Sequence, residues 1–317
     1  LRRSFDVPGK IVVTGAAGLI GQNLIVRLKR RGYGNIVAID KHPTNTDVLR
    51  KLHPDITTVS ADLAREDGWQ DHLTGAATLV IGHAQIGGKD SQEFEDNNVL
   101  ATRRLMEAAV AAGVPYAIHM SSSVVNSAAV DWYTESKKAQ EQVVLASGIP
   151  TVILRPTLMF GWFDRKHLGW LARFMRRAPV FPVPGNGRFR RQPLYAGSFC
   201  DIIIACIERP SSTGAYNISG LEIVDYIDLI RMVRTAVGAR TPILRIPYGL
   251  FWALLWVYGL FSANPPFTTR QLEALVTPDL FEVIDWPGIF GVKPLKLADA
   301  FAEAYRAPVY SNIVLDF

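Results

Sequence analysis

A chain of 317 residues, 49% apolar and 20% charged, can bury one large core or two moderate ones and is too apolar for a disordered polymer. Two cysteines, Cys200 and Cys206, exclude a disulfide framework and fit a reducing cytoplasm, and no metal-ligand spacing links them to the histidines. The net charge of +5 comes without the aromatic interleaving of an RNA-binding sheet or a helix-turn-helix pattern, which argues against nucleic acid; the basic residues between Arg165 and Arg191 read instead as a phosphate pocket.

A strand is expected at 10–14, so close to the start that no signal peptide is expected. A helix follows over 19–31, ended by Gly32, then a second strand at 35–40. Apolar runs at 57–61, 78–82 and 116–121 predict three more strands, the last two separated by a helix over 97–112 that Gly113 closes. Residues 134–146 predict a helix stopped by Gly148 and Pro150, and 151–154 a sixth strand. Strands separated by helices of about 10–15 residues specify a parallel sheet covered on both faces, with right-handed crossovers. The fold class is therefore α/β, a Rossmann-like doubly wound sheet with a smaller C-terminal substrate-binding portion. Dense proline and glycine from Pro156 to Gly187 place the change at about 160, giving 8–160 as the dinucleotide-binding domain and 161–317 as the substrate portion. The boundary is soft, since segments can return to the sheet.

Helices are expected in that portion at 169–177, 225–237 and 250–261. The last falls in the continuous apolar run 248–261, which is shorter than the ~20 residues of a membrane-spanning helix. It reads as a core helix, with peripheral membrane contact as the alternative.

The turn after the first strand reads T-G-A-A-G-L-I-G over 14–21. Glycine is needed where a chain turns tightly and where backbone approaches a pyrophosphate, and the next helix aims its free N–H groups at the phosphates. A strand before and a helix after make the pattern specific. Gly15, Ala17, Gly18, Leu19, Ile20 and Gly21 are therefore expected at a dinucleotide. Asp40 ends the second strand 19 residues beyond Gly21, where its carboxylate can accept from ribose hydroxyls and repel a 2′-phosphate. NAD is favoured, although Lys41 follows.

Tyr133 and Lys137 are four apart at the start of a predicted helix and share a face. An ammonium beside a phenol favours the phenolate, lowering a pKa of normally about 10. A tyrosine so tuned can take or return a hydroxyl proton while hydride moves. Ser122 and Ser123 follow the fifth strand, at the carboxyl edge where open α/β sheets bind ligands, and a hydroxyl there can polarise a substrate oxygen. Each signal alone is weak, because Y-x-x-x-K is commonly a surface pair and strand-end serines are ordinary turn residues.

Taken together these residues resemble the extended short-chain dehydrogenase/reductase superfamily, in particular its NAD-dependent epimerase/dehydratase branch of sugar-nucleotide enzymes. Residues 14–21 match T-G-x-x-G-x-x-G, and Asp40 matches the ribose-binding acid. Asp62 and Leu63 resemble the pair that flanks adenine, and Asn98 opens a segment like N-x-x-G-T-x-x-L. Ser122 falls on the catalytic-type serine, with Ser123 the alternative, and Tyr133 and Lys137 fall on Y-x-x-x-K. Ala84 corresponds to a cofactor-contacting alanine after strand four, and Pro156 to the L-R-P stretch near nicotinamide. Arg191 aligns with the arginine that binds a nucleotide diphosphate. The chain departs from the pattern at Gly82-His83-Ala84-Gln85 for H-x-A-A, at Asn126-Ser127 for Y-G, and near Ser198, where an acidic residue is usual.

The resemblance implies an NAD-dependent sugar-nucleotide epimerase or keto-sugar reductase, acting on a UDP-sugar as a cytoplasmic homodimer that pairs through helices 97–112 and 134–146. Dehydration ranks lower, since no acidic pair accompanies the serine. A hydroxysteroid-dehydrogenase-like enzyme for an apolar alcohol is the second reading, and a non-catalytic NAD-binding relative the third. His83 is expected near the nicotinamide; His42, His53, His72, His119 and His167 are read as structural.

Overall fold

Apolar runs without polar alternation form strands buried on both faces, as a parallel sheet under two helical layers requires. The computed structural model describes residues 9–88, 90–128, 130–261, 268–277 and 280–316. Its central sheet contains β1 (Lys10–Thr14), β2 (Ile36–Asp40), β3 (Thr57–Ser60), β4 (Ala76–Ile81), β5 (Ala117–Met120) and β6 (Thr151–Pro156). Short strands β7 (Met159–Phe160), β8 (Phe181–Pro184), β9 (Arg190–Arg191) and β10 (Leu194–Tyr195) come next. The strand β11 (Gly214–Ile218) then returns to the central sheet, and β12 (Val224–Asp225) and β13 (Ile243–Ile246) complete the C-terminal part. The central order is β11-β6-β5-β4-β1-β2-β3, parallel throughout. It reverses between β1 and β4, the switch point at which doubly wound sheets open a crevice.

The first-half helices are α1 (Leu19–Arg30), α2 (Pro43–Leu52), α3 (Ser91–Phe94), α4 (Ala101–Ala111) and α5 (Trp132–Ala146). After them come α6 (His167–Arg177), α7 (Ala196–Glu208), α8 (Tyr226–Val237), α9 (Tyr248–Phe261), α10 (Thr269–Val276), α11 (Trp286–Phe290) and α12 (Leu297–Arg306). One sheet face packs Val13, Leu24, Ile118 and Leu154 with Phe199 and Ile203 of α7, and the other packs Val12, Ile39, Leu79 and Leu105. A further core, with Phe160, Ile230, Val233 and Phe301, lies within the C-terminal part. Arg27 of α1 ties the parts together: it donates to the Tyr195 hydroxyl at 3.0 Å and to Glu303 at 2.7 Å, and lies over the Trp162 ring.

Three expectations change. The helix expected over 97–112 is broken, with α3 leading into a π-helical stretch, Glu95–Leu100, before α4. Residues 196–208, to which no element was assigned, form α7, whose apolar run is too short for periodicity to separate helix from strand. The run 248–261 forms a helix, but not a core one: no residue of α9 is buried. Among the described residues no helix is long and apolar enough to cross a membrane.

Candidate active site

The strand ends on one edge of the sheet carry almost every residue singled out above. Gly15 turns with φ +63°, and a Cβ there would stand 2.5 Å from the Gly82 carbonyl, so the loop lies against the end of β4. A Cβ on Gly21 would come 2.5 Å from Ala16 Cα, which seats the start of α1 on the same loop. Asp40 fastens the loop from β2, since its Oδ2 accepts from Ala17 N and its Oδ1 from His42 N, both at 2.9 Å. Burial raises the Asp40 carboxyl, and these backbone donors oppose the shift. Gly18 caps α1 without a side chain and the first turn holds no acid, so its N–H groups and positive end can receive a diphosphate. Gly18, Leu19 and Ile20 are half-exposed at the mouth of the loop. These residues fit a dinucleotide.

Beyond β3, Asp62 accepts from Ala64 N at 3.0 Å and meets Lys41 at 3.3 Å, while Leu63 beside it is buried. A polar cavity of about 460 Å³ opens there, lined by Lys41, Asp62, Arg65, Gln85, Asp96 and Asn97 among others. The π-helical stretch turns Asn98 inward, where its side chain accepts from Gln85 N at 2.7 Å and donates to Ser136 Oγ at 2.8 Å. One amide thus joins the segment after β4, including exposed Ala84, to α5. π-bulges are frequent at functional sites.

Helix α5 starts at Asp131, whose carboxylate accepts from Thr134 N at 3.0 Å. The Ser122 side chain accepts from Val124 N at 3.4 Å and favours ionisation of the Tyr133 phenol, while Ser123 opens the short 3-10 turn Ser123–Asn126. Lys137 is almost wholly buried; its Nζ donates to the Met120 carbonyl at 3.1 Å and to Gln140 Oε1 at 2.5 Å. Burial brings Lys137 down to about 7, against the pull of Glu141. The sequence-based expectation of an ammonium-lowered phenol is corrected here: burial pushes Tyr133 up, the Ser122 side chain alone opposes it, and Asp131 adds to the rise.

Two features escaped sequence reasoning. A polar chain runs from Lys137 through Gln140 and Thr102 to His83, with Gln140 Nε2 to Thr102 Oγ1 at 2.8 Å and His83 Nε2 to Thr102 Oγ1 at 2.9 Å. It ends where His83 Nδ1 meets Thr14 Oγ1 at 2.8 Å. Burial, then Lys137 and Lys41, bring His83 down to about 3. The second feature is a buried clasp: Glu141 accepts from Ser121 Oγ at 2.5 Å and from Arg155 Nε and Nη2 at 2.9 and 2.6 Å. It joins β5, α5 and β6, with buried Pro156 next to Arg155. Glu141 lies one helical turn beyond Lys137, so the spacing Tyr133, Lys137, Glu141 along one face was the available signal.

Arg191 is not among these strand ends. It lies on β9, paired antiparallel with β12, and its Nη1 donates to the Thr277 carbonyl at 2.9 Å. The cluster expected to form one phosphate pocket is largely bracing. Arg165 pairs with Asp316 at 2.9 Å, Arg173 donates to the Asp164 and Arg165 carbonyls, and Arg176 donates to the Tyr305 carbonyl.

Comparison with known proteins agrees with this architecture. A model described as the NAD dependent epimerase/dehydratase family matches residues 11–219. The chain is 23% identical to a 3-beta-hydroxysteroid dehydrogenase of Mycolicibacterium neoaurum, over 96% of this chain and 92% of the relative. It is also 23% identical to UDP-glucose 4-epimerase of Vibrio cholerae, over 81% and 82% respectively. The solved structure of Bordetella bronchiseptica WbmG in complex with NAD and UDP superposes with a TM-score of 0.71 at 19% identity, covering 99% of this chain and 98% of that one.

Proposed function

Because the chain belongs to the NAD-dependent epimerase/dehydratase family, we propose that it moves hydride at an alcohol carbon with Tyr133 as acid and base. The observation that carries the reading is the half-buried Tyr133 at the start of α5, one helical turn from Lys137, whose buried ammonium is held against the end of β5 by the Met120 carbonyl next to the Ser122 edge. Bound NAD supplies the hydride acceptor or donor. Tyr133 Oη takes the proton from the reacting hydroxyl or returns it. Ser122, in preference to Ser123, donates to the substrate oxygen and polarises it. Lys137, held by Met120 and Gln140, keeps a titrating ammonium beneath the phenol-bearing turn. The residues Gly15, Ala17, Gly18, Leu19, Ile20 and Gly21 hold the pyrophosphate, Asp40 the ribose, Asp62 and Leu63 the adenine, and Ala84 and Pro156 the nicotinamide side.

The substrate in this reading is a nucleotide sugar, a UDP-hexose foremost, turned over by epimerisation or keto-sugar reduction, with Arg191 at the diphosphate. Its support is the likeness to a UDP-glucose 4-epimerase and the UDP named with the solved relative. A second reading, an apolar alcohol of the hydroxysteroid kind, is favoured by the exposed apolar helix α9 beside the C-terminal strands. We place the enzyme in the cytoplasm as a homodimer joined through α4 and α5, which pack together and leave Val110 and Leu145 exposed. Mass spectrometry of the ligand released on denaturation, followed by titration with UDP and with a 3β-hydroxysteroid, tests the assignment. Released NAD with UDP binding supports the sugar-nucleotide enzyme; sterol binding with indifference to UDP selects the second reading. Turnover retained in Tyr133→Phe would remove the mechanism.

A further inference from the structure

Helix α9 carries no charged residue and buries none of its side chains. Leu250, Leu254, Trp256, Val257, Tyr258 and Leu260 are about half exposed, and Phe261 is 86% exposed. At 100° per residue these positions sweep about 200° of arc. That is twice the stripe of about 100° by which a surface helix seats on a core. The opposite face, with Phe251, Trp252 and Leu255, is partly covered by the protein, so it is the exposed arc that needs apolar surroundings. A second protein surface would cover one face, whereas acyl chains cover the whole arc. The helix is about 21 Å long, short of the ~30 Å hydrocarbon layer, so it lies in that layer's boundary and does not span it. Trp252, Trp256, Tyr248 and Tyr258 supply the rings that favour this depth.

The surrounding charge gives the sign of the surface. Between Asp228 and Glu273 every charged residue is an arginine: Arg231, Arg234, Arg240, Arg245 and Arg270. Arg231 is paired with Asp228, but Arg240 and Arg245 just before α9, and Arg270 on α10 just after it, are exposed. Helix α10 packs on α9, where Trp252 Nε1 donates to Glu273 at 3.3 Å, and its far end supplies the Thr277 carbonyl that Arg191 holds. The docking helix is thus two contacts from the substrate side.

We propose that α9 seats in the interfacial layer of a lipid bilayer bearing anionic headgroups, with Arg240, Arg245 and Arg270 at the headgroup phosphates. This surface stands whichever alcohol the active site converts. The test is flotation of the full chain with phosphatidylcholine vesicles, alone or with one quarter phosphatidylglycerol, alongside tryptophan emission. The expected result is flotation with the anionic vesicles, a blue shift in emission, and loss of binding at high salt. The variant Leu254→Glu/Trp256→Glu should lose about tenfold or more of the bound fraction while keeping its Tm and NAD binding, since neither side chain is buried. Arg240→Glu/Arg245→Glu should lose the preference for anionic vesicles and keep the fold. Wild-type protein that floats with neither vesicle overturns the proposal, as does a Leu254→Glu/Trp256→Glu variant that floats as wild type does. A dimer that the same variant turns to monomer in lipid-free buffer, with no flotation of wild type, assigns the helix to a second copy and also overturns it.

Discussion

Replacing Glu141 by Gln keeps the volume of the side chain and removes its charge. Glu141 is buried and takes two guanidinium donors from Arg155 and one hydroxyl donor from Ser121, at 2.5 to 2.9 Å. Removing one partner of a buried ion pair costs about 3–5 kcal/mol, because the other charge is left uncompensated. The Arg155 side chain is 24% exposed, so water screens part of that loss and the low end, about 3 kcal/mol, applies. At roughly 2 °C per kcal/mol for a chain of this size, Tm should fall by about 6 °C in a thermal melt. Glu141 also holds Lys137 up against burial, so its loss should move any rate-limiting ionisation of Lys137 below about 7, visible in the pH–rate profile. The paired replacement Glu141→Leu/Arg155→Met removes both charges and should recover most of the stability. A Glu141→Gln protein within about 2 °C of the parent, or a double variant less stable than either single one, would refute the reasoning.

Tyr133→Phe should lower turnover by about 10²–10⁴-fold, with NAD binding and Tm little changed, as measured by steady-state kinetics and dye-free calorimetry. Gly15→Ala should weaken NAD binding and lower Tm, because φ is +63° and the added carbon meets the Gly82 carbonyl at 2.5 Å; unchanged calorimetric titration would contradict this. Burial holds His83 down at about 3 and His119 well below the ordinary 6.5, so both are neutral in the folded chain. The unfolded chain takes up protons below about pH 6.5, so this stability is complete above that pH. It is lost as pH falls towards the folded values, by up to about 1.4 kcal/mol per pH unit for each histidine. Tm should therefore fall between pH 6.5 and pH 4, less steeply in His83→Asn; a flat profile would be inconsistent with two buried neutral imidazoles.

Much of the first half of the fold was legible because each buried strand is an apolar run and three helices, α1, α4 and α5, are followed by Gly32, Gly113 and Gly148, whereas α2, which ends at His53 without a glycine, was not assigned. The C-terminal strands β7 to β10 are two to four residues long and lie among prolines, too short for either periodicity to register. Local spacing marked Tyr133, Lys137 and Asp40 as candidates, since each depends on one turn of helix or one strand end. The polar chain from Lys137 to Thr14 and the clasp at Glu141 join residues tens of positions apart, and only the packed sheet brings them together. Burial likewise reversed the expected shift of the Tyr133 phenol, because desolvation is set by tertiary packing and leaves no mark in local spacing.

Strand β11 enters the central sheet from beyond the proline-rich stretch and pairs in register with β6, from Gly214 opposite Val152 to Ile218 opposite Pro156. A half-chain cut at residue 160 would keep the glycine loop, Tyr133 and Lys137, yet lose both β11 and the α7 helix that covers Leu154 and Ile118. Its β6 would become a bare, apolar border with unpaired N–H and C=O groups, the template on which sheets recruit one another. Truncation to the nucleotide-binding half should therefore yield aggregates and not a smaller working receptor for the dinucleotide.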